Sequence, residues 1–438
     1  MRDIAFAAFM AGLLPFILKR PWLGMLAFAW LSLMNPYRFA FGFAYDAPWV
    51  QIVALVTLVS LALHHQREDW DYRFGAIFAL LMLLPLWTCV TTIFAFEREK
   101  AFGRLEEVLK VFLFVHVAAG VLCTRQRIDW LVWVIVVSVG FYGFKGGIFV
   151  LLTAGEAKVW GPPGKSYLSD NNAIAIAMIM VVPLMHYLRG IATSPWIRRG
   201  LLAAMVLSSI AVIGTYSRGG FLAVAAMLLF LWLKSRQKLL LSVLFVALIP
   251  IGLTSMPERW FERMGTISNY EEDSSAMGRI NTWTTAINIA NDRPLVGGGF
   301  ELYTPNTFAR YAPNPLAVHS AHSIYFQILG EHGYVGLLIF LSIGVSTWIV
   351  ARRTIAAVRD RDDLAWAGQL ARAIQVSLVG YAVGGTFINI GYWDLIYYEI
   401  VIAVIVHRIV LEARLVDPAR VVPAASLPKM HSRAAGTP

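Results

Sequence analysis

Residues 321–340 read AHSIYFQILGEHGYVGLLIF, and they join the longest polar segment of the chain to a long apolar run. The stretch opens with His322, three residues after His319. An imidazole at the rim of a bilayer is well placed for chemistry on a molecule that is half lipid and half polar. The same position also suits a histidine that only caps a helix at the interface.

Outward from this stretch, the 438 residues are 58% hydrophobic and only 15% charged, with a mean hydropathy of +0.63. The apolar residues fall in blocks rather than amphipathic stripes, which predicts an all-α polytopic membrane protein. Thirteen apolar runs stand out, at 4–18, 22–34, 48–64, 74–96, 107–123, 129–152, 173–188, 201–216, 220–234, 239–255, 323–350, 370–390 and 395–411. Several are shorter than the ~20 residues that cross a bilayer core. The first two are the shortest and read as full spans or as broken, re-entrant helices, giving thirteen or twelve crossings. The domain expectation is one membrane domain over residues 1–415, with the polar loop 256–322 inserted in it. Residues 416–438, with Pro418, Pro423, Pro428 and Pro438, read as a disordered cytoplasmic tail.

A formal charge of +10 invites a nucleic-acid reading. Here the basic residues lie mainly in short loops between apolar runs, including Arg125 and Arg127, Arg198 and Arg199, and Arg352 and Arg353. That pattern marks the cytoplasmic side, and no nucleic-acid partner is expected. The opposite side then holds 153–172, the turn at 217–220 and the loop 256–322. Cys89 and Cys123 lie in separate apolar runs and form no disulfide framework. The N-terminus lacks the small-residue cleavage site of a secretory signal.

The candidate chemistry gathers on that second side. Arg218 stands between two apolar runs, where an arginine is costly unless it is paired or faces a polar cavity. Guanidinium groups suit bidentate phosphate binding, so Arg218 and Arg279 together point to a phosphate or diphosphate. Within 256–322 a helix is expected from near Ala276, with Ile280, Trp283, Ile287 and Ala290 as its apolar stripe. The segment Pro294-Leu295-Val296-Gly297-Gly298-Gly299-Phe300 permits a tight turn. Such a turn can offer N–H groups, Gly298 among them, to an anion, or can simply be flexible. Lys145 and Lys165 are further anion contacts. Gly164-Lys165-Ser166 imitates the end of a P-loop, but Val159 stands where that motif needs glycine and no strand precedes it. His319 and His322 would need a third ligand to hold zinc; Glu301, Glu331 and His332 are present, but no HExxH pattern is, and no Asp-x-Asp pair lies on this second side. Neither a metal nor a cofactor is expected.

The run from His322 through Gln327-Ile328-Leu329-Gly330-Glu331, Gly333 and Gly336 resembles the O-antigen ligase and polymerase superfamily. Members typically carry His-Asn, where this chain has His322-Ser323. Thr215-Tyr216-Ser217-Arg218-Gly219-Gly220, Gly278-Arg279-Ile280 with Trp283, and the glycine turn resemble that family in order and spacing. Lys145-Gly146-Gly147, Trp160-Gly161-Pro162 and Asp170-Asn171-Asn172 are similar to a subgroup described as exosortase-associated O-glycosylation ligases. The resemblance implies a GT-C-like fold of about twelve transmembrane helices with a large periplasmic loop. It implies transfer of a glycan from undecaprenyl diphosphate to lipid A-core on the periplasmic face of a bacterial inner membrane. A growing carrier-linked glycan or a protein hydroxyl is the acceptor in the polymerase and protein O-oligosaccharyltransferase branches. The expected roles are His322 as general base, Arg218 and Arg279 on the diphosphate, and Lys145, Lys165, His319 and Gly298 as substrate contacts. The rival class is a flippase for the same lipid-linked glycans. It would place ionisable groups nearer the bilayer midplane.

Overall fold

In an apolar setting each backbone N–H must find its carbonyl within its own segment, so apolar runs become helices. The computed structural model describes residues 1–64, 70–73, 75–162, 164, 166–235, 237–239, 242–243, 258, 260–261 and 274–416. Its helices are α1 (Arg2–Lys19), α2 (Pro21–Met34), α3 (Phe43–Asp46), α4 (Trp49–His64), α5 (Ala76–Ile93), α6 (Arg98–Val121), α7 (Arg125–Leu152), α8 (Asn171–Ile191), α9 (Pro195–Gly214), α10 (Arg218–Lys234), α11 (Ser274–Asp292), α12 (Pro305–Tyr311), α13 (Ile324–Ala357), α14 (Ala365–Gly384) and α15 (Asp394–Val416). Short 3-10 turns lie at Pro36–Phe39, Asp362–Leu364 and Gly385–Phe387.

Twelve of the thirteen apolar runs coincide with these helices. The run 239–255 and the tail after Val416 lie largely or wholly outside the described residues. Among the described residues α5, α7, α8, α9 and α13 are long and apolar enough to cross a membrane, and the chain is a multi-pass membrane protein. Several boundaries differ from the sequence reading, two of them for visible reasons. Helix α6 starts at Arg98, well before its apolar run, because the pairs Lys100–Glu97, Arg104–Glu107 and Lys110–Glu106 support a charged first half. Helix α14 stops at Gly384, and the chain through 388–393 leaves the helix to run beside α13.

The bundle has two chemically different ends. At one, Arg125 lies over the Trp366 ring at 4.7 Å, Arg408 meets Asp71 at 3.5 Å and Arg73 meets Glu412 at 2.8 Å. At the other, the starts of α8, α10, α13 and α15 meet the ends of α5, α7, α9 and α14. The Lys145-Gly146-Gly147 motif serves the packing that joins α7 to α9. A Cβ on Gly147 would lie 2.3 Å from the carbonyl oxygen of Leu207, so only glycine permits this approach.

Helix α13 packs against α5, α11, α14 and α15 and is broken at Gly333, where φ is 66° and ψ −169°. The break exposes carbonyls and an N–H that need new partners. Gly298 N–H donates to Gly330 O at 2.8 Å and Gly299 N–H to Glu331 O at 2.9 Å. Tyr334 N–H donates to Pro294 O at 2.9 Å, and Trp87 Nε1–H donates to His332 O at 3.1 Å. The glycine turn and the kink therefore satisfy each other. Replacing Gly333 by Ala would put a Cβ 2.5 Å from Leu295 O at a positive φ. Gly333→Ala is expected to lower the thermal unfolding midpoint in detergent, by the equivalent of about 1–3 kcal/mol. An unchanged midpoint would show that the kink is not under this constraint.

Candidate active site

His322 occupies the turn before α13 with a φ of 43°, a left-handed backbone that a β-substituted residue adopts only when its surroundings enforce it. The enforcement is visible on both sides. Trp283 of α11 donates its Nε1–H to the carbonyl of Ala321 at 2.7 Å and stacks on Phe326 at 4.9 Å. Ser323 N–H donates to Oδ1 of Asn389 at 3.1 Å. The peptide groups flanking His322 are thus held by two different elements, and the half-buried imidazole is fixed between them. The Ser323 hydroxyl is fully buried and finds no hydrogen-bond partner among the described residues.

Helix α11 supplies the second candidate, Arg279, which is half-buried. The helix is where the sequence placed it, but its buried face is not the expected stripe. Ile280 and Ile287 are exposed, while Asn281, Thr282, Thr285, Ala286, Ile289 and Ala290 are buried. The threonines enter the interior because their hydroxyls bond back to the carbonyls of Gly278 at 2.9 Å and Asn281 at 2.7 Å. Asn281 ties the helix to the following loop through Asn314 O and Ala317 O. His319 is exposed and packs over Gly278, next to Arg279.

Burial is the largest influence on His322 and holds its imidazole below the usual range; the Arg279 guanidinium adds to this. The Asp170 carboxylate pulls the other way, and His319 adds a further downward push. The arrangement favours a neutral imidazole at neutral pH, the form able to accept a proton.

Arg218 is the first residue of α10. Its cap, Ser217, accepts from Gly220 N–H at 3.0 Å and donates to Asn172 Oδ1 at 2.8 Å. Asn171 reaches the same turn, donating to Thr215 O at 2.9 Å. The Asp170-Asn171-Asn172 motif therefore locks the start of α8 to the start of α10. Gly219 lies against Phe387, and Gly385 lies against Ile324. Segment 385–389 therefore touches the residue that follows Arg218 and the two that follow His322. The structure thus draws His322, Arg279, His319 and Arg218 to one end of the bundle.

The other expected contacts fare differently. Gly298 gives its N–H to Gly330 O, so this turn braces α13 rather than offering that donor to an anion. The sequence could show that the turn had N–H groups to give but not what would take them. Lys145 is exposed on α7, and among the described residues no contact ties it to the His322 cluster. Lys165 lies outside the described residues.

One buried constellation escaped the sequence reading as a unit. Tyr392 donates its hydroxyl proton to Glu331 Oε2 at 2.6 Å and accepts from His332 Nε2 at 2.6 Å. His332 Nδ1 faces Thr91 Oγ1 at 2.7 Å, and Gln327 Oε1 accepts from Gly391 N–H at 3.4 Å. Ser323, Gln327 and Glu331 recur every four residues, so they share one face of α13. They form three rungs to the chain at 389, 391 and 392. That spacing of polar residues inside an apolar run was the available signal.

This geometry defines a multi-pass membrane protein with a histidine and two arginines converging at one end. Residues 203–341, which contain Arg218, Arg279 and His322, match the family model described as O-antigen ligase. Residues 1–193 match a model described as a family of unknown function (DUF5935). The segment that carries the candidate site is thus similar to the O-antigen ligase family. No curated protein matches it.

Removing the Tyr392 hydroxyl strips a shared partner from two buried polar groups. Tyr392→Phe is expected to destabilise the protein by about 1–3 kcal/mol, read as a lower unfolding midpoint in detergent. A midpoint equal to that of the parent protein would mean that the hydroxyl bonds contribute nothing net.

Proposed function

We propose that this protein is an O-antigen ligase that moves a glycan from undecaprenyl diphosphate to lipid A-core oligosaccharide. The reading carries with it one membrane domain over residues 1–415, about twelve spans, and an active end facing the periplasm of a bacterial inner membrane. The observation that supports it most is the convergence of His322, Arg279 and Arg218 at the bundle end opposite the basic loops. The O-antigen ligase match covers the same three residues.

The chemistry follows from the charges. The acceptor hydroxyl attacks the anomeric carbon of the donor sugar. A carbon–oxygen bond forms to the acceptor as the bond to the diphosphate oxygen breaks, and direct displacement inverts the anomeric centre. His322 takes the hydroxyl proton and later releases it to solvent. Undecaprenyl diphosphate leaves with the bonding electron pair, and Arg218 and Arg279 stabilise the negative charge that grows on it. His319, exposed beside Arg279, orients the acceptor. Two guanidinium groups supply the positive charge, and no metal ion is required in this scheme. A flippase would need its charged groups along a path through the bundle rather than gathered at one end.

Purified protein with EDTA, undecaprenyl-diphosphate-linked glycan and lipid A-core is expected to yield glycosylated lipid A-core, resolved by gel and mass spectrometry. Longer carrier-linked chains would instead make it a polymerase, and transfer only to a protein hydroxyl a protein O-oligosaccharyltransferase. Movement of intact donor between leaflets with no new bond would make it a flippase.

His322→Ala is expected to lower kcat about 10²–10⁴-fold in folded protein. The acid limb of kcat/KM reports the free enzyme's base. Because His322 must be neutral to act, activity rises with pH through a midpoint below the ordinary imidazole value of about 6.5. Arg279→Gln removes a cation that disfavours the imidazolium, so its limb is expected at higher pH. A limb that stays put would separate Arg279 from His322.

A further inference from the structure

Helix α11 is held on one side by α13 and on another by the loop that Asn281, Thr282 and Asn288 bond. A further face stays open. Met277, Ile280, Thr284 and Ile287 follow one another at steps of three and four residues, so they share it. Met277, Ile280 and Ile287 are exposed, and the Thr284 hydroxyl bonds back to the carbonyl of Ile280 at 2.9 Å. No polar side-chain group on this stripe is left in need of water.

The exposed face of a helix in water ordinarily carries charge. Between Arg279 and Asp292, α11 has none. The nearby start of α6 is the contrast. It is tied to the glycine turn by Phe96 N–H to Gly298 O at 2.8 Å, and its Arg98, Glu99 and Lys100 are exposed. On α11 charge returns only at Asp292, which accepts the Tyr311 hydroxyl at 2.5 Å and meets Arg310 at 3.4 Å.

The continuation of the stripe points to what covers it. Tyr334, the first residue after the break in α13, donates its hydroxyl to Asn291 Oδ1 at 2.8 Å and its N–H to Pro294 O at 2.9 Å. These bonds fasten the end of α11 where the unbroken run of α13 begins. Leu295 and Tyr334 are exposed at this junction. So are Ile93 and Phe94 at the end of α5, where the Phe94 carbonyl accepts from Arg293 at 2.7 Å. Leu338, Leu341 and Val345 carry the exposed apolar surface onward along α13, a helix long and apolar enough to cross a membrane. On such a helix that surface faces lipid.

We propose that α11 is an interfacial helix, with Met277, Ile280 and Ile287 seated among the acyl chains of the lipid leaflet at this end of the bundle. Arg279 lies beside the stripe, so the lipid surface sets its height and keeps its guanidinium at the level of lipid phosphates. The lipid contact stands by itself; its use in holding the donor diphosphate rests on the glycosyl-transfer reading above.

The test uses full-length protein with Cys89→Ala and Cys123→Ala, in nanodiscs of phosphatidylethanolamine and phosphatidylglycerol. Met277→Cys, Ile280→Cys and Ile287→Cys each carry a fluorophore, and Ala309→Cys on the exposed side of α12 is the reference. Lipid with a nitroxide high on its acyl chain is expected to quench the three α11 labels at least about twofold more than the reference, and iodide to do the reverse. Labels that iodide reaches as readily as the reference overturn the proposal and leave the glycosyl-transfer reading standing. Labels shielded from both quenchers overturn it too, in favour of a second copy where light scattering finds two chains per disc and of another part of this chain where it finds one. In a second arm, Ile280→Asp with Ile287→Asp is expected to raise KM for undecaprenyl-diphosphate-linked glycan about tenfold and to leave kcat within about twofold, as for a loss of uniform binding. An unchanged KM beside lipid-quenched labels upholds the interfacial helix and overturns its part in placing Arg279.

Discussion

Among the hydrogen bonds that fasten the polar segment of this protein to its helical bundle, two meet the break in α13: Gly298 N–H to Gly330 O, and Gly299 N–H to Glu331 O. They exist because α13 breaks at Gly333 and leaves those carbonyls without helical donors. The turn that supplies the donors follows directly from α11, the helix that carries Arg279. The position of one cation relative to His322 therefore depends on a break in a different helix. The same helix start is clamped again by Trp283 and Asn389, which hold the peptides on either side of His322. A left-handed histidine persists only because these separate elements over-determine it.

Electrostatically, the candidate site sets a half-buried imidazole among charged groups. Burial, Arg279 and His319 disfavour the protonated imidazole of His322, and Asp170 pulls the other way. Arg218 belongs to the same end through a different chain of contacts, from Asn172 to Ser217 and from Gly219 to Phe387. In a water-poor setting each of these charges counts for more than on an open surface. The arrangement suits a reaction whose leaving group already carries negative charge and whose nucleophile must lose a proton.

Much of this was legible in the sequence, and the limits have physical causes. Apolar runs located the helices because length and hydropathy alone decide where a backbone can bury its own bonds. Arg218 and His322 stood out because a charge or imidazole beside an apolar run is costly without a purpose. The stripe of α11 was misread because a threonine can bury its hydroxyl by bonding back along its own helix, a possibility that hydropathy does not register. The glycine turn leaves an anion contact and a flexible turn equally open in the sequence because the partner that takes its N–H groups lies about thirty residues further on. For the Glu331–Tyr392–His332 network the sequence holds only the spacing of polar residues along α13, not their partner, since Tyr392 returns to α13 only after the whole of α14.

The central claim is that the diphosphate of the donor sits between Arg218 and Arg279, with the reacting sugar carbon next to His322. Determining the structure of the protein in nanodiscs with undecaprenyl-diphosphate-linked glycan bound tests it most directly. The account predicts phosphate oxygens within hydrogen-bond reach of both guanidinium groups and the anomeric carbon facing the His322 imidazole. A diphosphate held at the opposite, basic end of the bundle, or one that touches neither arginine, would contradict it.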